Sequence, residues 1–356
     1  MYKRIVLLLG LLAFISSAHA QLPGQLVLVG GGAEEDGGWS DAPYAWALSH
    51  HTNPRVGILS YQGGQSSFLP DYFQTLGAIF ATNMTISASD ADLPSIYDSL
   101  MTFDVLFIRG GDQWLYHEDW AGTQTEQAIK DKFAGGGTIM GTSAGMAVLS
   151  SLWFSAESGT VYPDEMLENA QNQFATLRTD FLGLAPGYLF DNHFVERGRV
   201  GRLAGLLTRY NFENSTDITG IGVDDKTALC IDTDHTGTIH GTGSVTWLGG
   251  PSSTYVLGEG GRPMTNTPTG MRYVQALDGD TLLLETGELI TAASQKARYS
   301  NGVGHPDKVD FEPVSGGRAG VVDPANGNLP ATFFPAMTVL LAGSDSIADN
   351  ETFLDR

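Results

Sequence analysis

The sequence predicts an α/β fold in which a doubly wound, mostly parallel sheet carries helices on both faces and continues into a C-terminal β-rich extension. Short, wholly apolar runs recur between Leu26 and Gly141, and amphipathic stretches of helical length separate them. After about residue 215 the rhythm shortens to β runs joined by Gly and Asp turns. Strands that are apolar throughout are buried on both faces, which is the signature of a parallel sheet covered by helices. With 42% hydrophobic residues in 356, the chain can bury a globular core of that size.

The first twenty residues stand apart from this pattern. MYKRIVLLLGLLAFISSAHA joins Lys3 and Arg4 to an apolar run from Ile5 to Ile15 and ends in small residues at Ala20. That order predicts a cleavable signal peptide over 1–20, too short in its apolar part for a spanning helix, with the mature chain starting near Gln21. A secreted or periplasmic location follows as the expectation, with no membrane attachment after cleavage. Losing Lys3 and Arg4 takes 19 basic residues to 17 against 40 acidic ones, and the charge from −21 to −23. Such a field repels nucleic acid and anionic membranes and favours cationic ligands. Cys230 is the one cysteine, which rules out an internal disulfide, and its setting in TALCID reads as an apolar filler within a strand.

The predicted α/β domain spans 21–286. Its strands are LVLVG (26–30), VGILS (56–60), a segment near MTISA (84–88), FDVLFI (103–108) and TIMG (138–141), with helical stretches around 41–50, 68–82, 93–100 and 122–134. Later β runs are TGIGV (219–223), ALCID (228–232), GTIHG (237–241), GSVTWL (243–248), MRYVQAL (271–277) and DTLLLE (280–285), completing the sheet and adding a small β layer. Residues 287–356 form an extension rich in Gly, Pro, Ser and Asn, with an apolar element at 331–343 and no assigned role.

Ligands of open α/β sheets bind beyond the carboxyl ends of the strands. Four glycine-bearing turns fall there: GGG (30–32), SYQGG (60–64), RGGDQ (109–113) and GTSAG (141–145). GTSAG has the G-x-S-x-G form of a strained strand-to-helix turn that exposes a serine hydroxyl, here Ser143. A serine needs a base, a group orienting that base, and donors for the oxyanion. Among the histidines, His193 stands out in DNHFVERGRVGRL (191–203), after an apolar run and beside Arg197, Arg199 and Arg202. On a helix, Arg199 and Arg202 share a face and Arg197 lies about 160° from Arg199. The three read either as a carboxylate-binding fork or as ion pairs with some of the many acidic residues. For the orienting acid, GIGVDDKTALCID offers Asp224 or Asp225 at a strand end.

Taken in order, FIRGGDQ, GTSAG, DNHFVERGRVGRL and GIGVDDKTAL resemble the cyanophycinases and the related aspartyl dipeptidases of serine peptidase family S51, from about Leu26 to about Glu285. The resemblance implies a sheet like that of class I glutamine amidotransferases and a Ser-His-acid triad of Ser143, His193 and Asp225. It implies oxyanion amides from Gly111 and Ala144, and a substrate pocket lined by Gln113, Asp191, Asn192, Arg197, Arg199 and Arg202. The family pattern has Glu at the position of Asp225 and Gln at that of Asn192, and Arg109 is bulkier than the pattern, altering one pocket wall. The implied substrate is a peptide or a cyanophycin-type polymer, a polyaspartate with arginine on each β-carboxyl, cut to β-Asp-Arg dipeptides. Glu34, Glu35 and Asp36 would form an acidic rim toward its guanidinium groups. Alternatives are an aspartyl or isoaspartyl dipeptidase on short peptides, and a non-catalytic binding protein on the same fold. No cofactor and no metal is expected, because no His and carboxylate cluster has ligand spacing such as H-E-x-x-H. A homodimer is compatible with the sequence.

Overall fold

The computed structural model describes residues 21–64, 66–265, 271–291, 299–300 and 303–304. The predicted leader, the apolar stretch at 331–343 and most of the extension from 287 lie outside the described residues.

Five strands, β1 (Leu26–Val29), β2 (Arg55–Ser60), β3 (Phe80–Thr85), β4 (Val105–Ile108) and β5 (Thr138–Thr142), alternate with helices α1 (Asp41–Ser49), α2 (Phe68–Thr75), α3 (Pro94–Met101), α4 (Gln113–Trp120) and α5 (Gln124–Ala134). They pair in parallel in the order β1-β5-β4-β2-β3. β1, β4 and β5 are buried along their whole length, as continuous apolar runs require. Two elements differ from the sequence reading. β3 lies at 80–85 rather than 84–88: it is an edge strand, and FATNMT is only partly covered, so its polarity hides it from a search for apolar runs. Helix α4 is additional. Asp112 caps it by accepting from the Trp114 N–H at 2.8 Å, and Tyr116 and Trp120 are its buried contacts.

After β5 the chain runs through α6 (Ala144–Ala147), β6 (Ser150–Phe154), α7 (Pro163–Glu168), β7 (Leu177–Arg178), β8 (Ala185–Asp191), α8 (Val200–Asn214) and β9 (Thr219–Val223). It continues as β10 (Thr227–Ile231), β11 (Thr236–Gly241), β12 (Ser244–Gly249), β13 (Tyr255–Leu257), β14 (Pro263–Thr265), β15 (Arg272–Leu277), β16 (Thr281–Leu283) and β17 (Glu288–Thr291). β10, β11, β16 and β17 extend the first sheet antiparallel from β1, so the first residues of the C-terminal extension still belong to it. A second, six-stranded sheet has the order β15-β12-β9-β8-β6-β7, with β6, β8 and β9 parallel. The later strands thus divide between completing one sheet and building another layer.

Three apolar layers hold these sheets. One, including Tyr44, Phe73 and Phe107, packs α1 and α2 on the outer face of the first sheet. The largest fills the space between the first sheet, helices α3 to α5 and the second sheet, with Leu28, Trp120, Ile221 and Val245 among its members. The third packs α7 and α8 on the far face of the second sheet. Cys230 lies in β10 within the outer layer, and burial pushes its thiol well up.

Two crossings between the sheets bring distant parts of the chain to one edge. The chain leaves β5 of the first sheet through Ser143 and α6 to enter β6 of the second, and it returns from β9 to β10 through residues 224–226.

Candidate active site

The structure places Ser143, His193 and Asp225 in one hydrogen-bonded row. Ser143 Oγ lies 2.7 Å from His193 Nε2, and His193 Nδ1 is hydrogen-bonded to Asp225 Oδ1. A carboxylate facing Nδ1 holds the ring proton there and leaves Nε2 free to accept from the serine hydroxyl.

Each residue reaches the row for a local reason. Ser143 sits at φ 51° and ψ −116°, a backbone region costly to a side-chain-bearing residue, between the end of β5 and the first residue of α6. Its N–H bonds the Val29 carbonyl at 3.0 Å, tying the turn to β1. Glycines at 141 and 145 make the turn tight: a Cβ at Gly145 would stand 2.2 Å from the Ile108 carbonyl oxygen. His193 also has a positive φ, 43°, two residues after β8. Its N–H reaches across to the Gly30 carbonyl of the first sheet at 3.0 Å, and the Phe194 N–H bonds Val223 at the end of β9 at 3.2 Å. Gly31 lets the histidine and its acid approach, because a Cβ there would lie 2.2 Å from His193 Cε1 and 2.4 Å from Asp225 Oδ1.

The two candidate acids separate clearly. Asp224 turns inward, 3% exposed, and accepts from the Ser244 N–H and hydroxyl at 2.7 Å each and from the Val195 N–H at 3.0 Å. Asp225 turns to His193, and its own N–H is held by Glu196 at 3.0 Å. Glu196 was not singled out from the sequence; its place three residues after the histidine in HFVER is the only cue. Burial pushes Asp224 up to about 7 from the ordinary 3.8, against the pull of its donors toward the charged form. A folded-state pKa above the unfolded one means that the folded protein retains a proton the unfolded chain gives up. The contribution is therefore full below about pH 4 and lost as pH rises to about 7, roughly 4 kcal/mol in all. Asp224→Asn, which keeps an acceptor oxygen, is expected to remove that part of the pH dependence in urea unfolding between pH 4 and 8. An unchanged slope would contradict the assignment.

The Gly110–Gly111 turn after β4, where an oxyanion site is expected, lies against Ser143: a Cβ at Gly110 would be 3.9 Å from Ser143 Oγ. Among the described residues, neither the Gly111 nor the Ala144 amide has an internal partner. Two tyrosines absent from the sequence reading brace this turn. Tyr61 Oη accepts from the Asp112 N–H at 2.8 Å, and the buried Tyr116 hydroxyl donates to the Arg109 carbonyl at 2.8 Å.

The arginine cluster differs from the carboxylate-binding fork. Arg199 and Arg202, 8% and 3% exposed, are committed inside the protein. Asp191 accepts from Arg202 Nε at 3.0 Å and again from its Nη2, and Arg199 Nη1 lies 3.5 Å from the same carboxylate. Arg199 also donates to the Asn192 carbonyl and side-chain oxygen at 2.7 and 2.5 Å. Arg202 lies over the Phe154 ring at 4.9 Å. Asp191, Asn192 and two of the three arginines thus lock the segment that carries His193, a buried charge set that holds because each member is paired. Arg197 is exposed in the same loop. Gln113 opens α4 and donates to the Phe154 carbonyl at 3.4 Å. Of the acidic rim, Glu35 pairs with Lys226 at 2.6 Å, and Glu34 accepts from the Tyr44 hydroxyl at 3.2 Å with its carboxyl raised by burial. Asp36 is exposed. Among the described residues, no group of three or more His, Cys, Asp or Glu is arranged to hold a metal ion.

Comparison with known proteins sets this geometry in a family. Residues 66–239 match the model of peptidase family S51. The chain is 30% identical over 149 residues to a cyanophycinase of Trichormus variabilis, covering 42% of this chain and 46% of that protein. It is 26% identical over 239 residues to a cyanophycinase of Geminocystis herdmanii, covering 64% and 82%. The first match thus spans about half the length of the relative. A crystal structure of a peptidase from an acI-B1 Actinobacterium is 17% identical, with a TM-score of 0.48 over 74% of this chain and 98% of that one. A putative peptidase E from Listeria monocytogenes is 14% identical, with a TM-score of 0.42 over 62% and 98%. The segment that matches the family model carries Gly111, Ser143, Ala144, His193 and Asp225.

Proposed function

We propose that the protein is a serine-type exopeptidase that hydrolyses β-aspartyl-arginine polymer of the cyanophycin type through an acyl-enzyme. The observation that carries the reading is the Ser143–His193–Asp225 row, with its serine on a strained turn beside two free amides. His193 Nε2 takes the hydroxyl proton as Ser143 Oγ attacks the scissile carbonyl. The Gly111 and Ala144 amides receive the developing oxyanion, and Asp225 steadies the imidazolium. His193 then protonates the leaving amine, and water, deprotonated by the same nitrogen, releases the acyl group. The polymer is favoured as substrate by the cyanophycinase relatives and by an acidic chain that attracts a guanidinium-bearing ligand. Export through the leader at 1–20 would bring the enzyme to polymer outside the cell.

The test offers the purified protein cyanophycin and a panel of short α- and β-aspartyl peptides side by side, with a fluorophosphonate to trap the nucleophile. Release of β-Asp-Arg from the polymer and a mass adduct on Ser143 are expected. Turnover of the short peptides alone would replace the polymer reading with a dipeptidase. Absence of both turnover and adduct would leave a binding protein on this fold.

A further inference from the structure

Among the described residues, the cations of this acidic chain are mostly engaged within the protein. They pair with carboxylates, as Arg178 does with Glu157 at 3.0 Å and Lys226 with Glu35, or lie on carbonyls and rings, as Arg272 does. Among the described residues, three guanidinium groups have no hydrogen-bond or ion-pair partner: Arg109, Arg197 and Arg262. Arg262 is exposed on the β13–β14 hairpin, and Arg197 is exposed in the His193 loop. Arg109 alone is half-buried, at the carboxyl end of β4 immediately before the Gly110–Gly111 turn.

Its position follows from the sheet. The backbone at 109 is clamped from both sides, its N–H on the Leu59 carbonyl at 3.0 Å and its carbonyl on the Tyr116 hydroxyl. Side chains alternate along a strand, so Arg109 follows Phe107 toward the α1 face. There its charge favours the ionised form of Glu34, which follows β1. β5 runs between β4 and β1, so the field of Arg109 extends across the end of the strand that delivers Ser143. A half-buried guanidinium with no hydrogen-bond or ion-pair partner, whose charge reaches Glu34 across the end of the strand that delivers Ser143, is suited to a planar anionic group brought by a ligand. Arg199 and Arg202 cannot supply that group, being spent on Asp191.

We propose that Arg109 is a specificity-determining residue that binds a free carboxylate of the substrate close to the scissile carbonyl. The inference rests on the peptidase reading for its substrate class and on the structure for its chemistry. It makes the site one for peptides bearing a free carboxylate next to the bond cut, and a poor one for the same peptides as carboxamides.

The experiment compares aspartyl-arginine peptides with counterparts in which each carboxyl group in turn is an amide, on wild type, Arg109→Gln and Arg109→Lys. The loss of a charged hydrogen bond to a carboxylate predicts about a 30-fold rise in KM for one of the acids in Arg109→Gln, with kcat changed little. The matching amide should be unaffected, and Arg109→Lys should restore part of the difference. Equal effects of Arg109→Gln on acids and amides would overturn the proposal. The same peptides are also titrated by calorimetry onto Ser143→Ala with and without Arg109→Gln. If wild type cleaves none of them, the peptidase reading fails; acid-over-amide discrimination lost with Arg109 would still support the carboxylate site. No binding, or discrimination unchanged by Arg109→Gln, would reject it.

Discussion

Ser143→Ala is expected to lower kcat about a million-fold on whichever aspartyl substrate the wild type turns over, leaving the fold intact. In the proposed mechanism the hydroxyl is the attacking atom, and its neighbours hold the turn without it: the Ser143 N–H bonds Val29, and its carbonyl accepts from Met146 and Ala147. Asp225→Asn should cost about ten-thousand-fold by a different route. The amide removes the charge opposite the imidazolium and offers Nδ1 a donor. The ring proton then moves to Nε2, where it blocks acceptance of the Ser143 proton. Asp225→Glu, which keeps the charge on a longer stem, should lose less than Asp225→Asn. Steady-state rates with near-ultraviolet circular dichroism on each variant measure both effects. Comparable kcat in wild type and Ser143→Ala would remove the serine from the mechanism, and equal losses for Asp225→Asn and Asp225→Glu would remove the carboxylate from its role.

What the sequence made legible, and what it hid, divides along the same lines as the physics. β1, β2, β4 and β5 were visible because strands buried on both faces must be apolar throughout, whereas β3, half-covered at the edge, did not obey that pattern. Ser143 could be found because a turn this tight demands glycines on both sides, and those demands are written locally. The choice between Asp224 and Asp225 was not legible, since adjacent residues in a crossing between sheets point in opposite directions. Nor was the fate of Arg199 and Arg202: their partner Asp191 lies eight and eleven residues away, and only the fold shows it buried with them. Tyr61, Tyr116 and Glu196 brace the site by contacts across the chain that leave no spacing to detect. Sequence marks backbone constraints and apolar layers, whereas pairings made by long side chains across the fold emerge only with the structure.

Gly145→Ala is expected to destabilise the protein by at least about 3 kcal/mol, the upper part of the range for overpacking a buried site, and to abolish activity with it. Gly145 lies in α6 with nothing unusual in its own dihedral angles, so the cost comes from contact alone. Its Cβ would meet the Ile108 carbonyl oxygen at 2.2 Å and that of Arg109 at 2.7 Å. Both are backbone atoms of the strand end that bears the oxyanion turn, and neither can rotate away. Ile108 is held in β4, paired to β2 on one side and β5 on the other. Relief therefore requires α6 to move off the sheet, carrying the Ala144 amide and the Ser143 turn out of register with Gly111 and His193. Gly63→Ala is the control, because a Cβ there meets nothing within 4 Å. It should change stability by less than about 1 kcal/mol. Urea midpoints for the two variants decide the matter. If Gly145→Ala unfolded at the wild-type midpoint and retained wild-type kcat, the elbow would be looser than the contact at Ile108 requires.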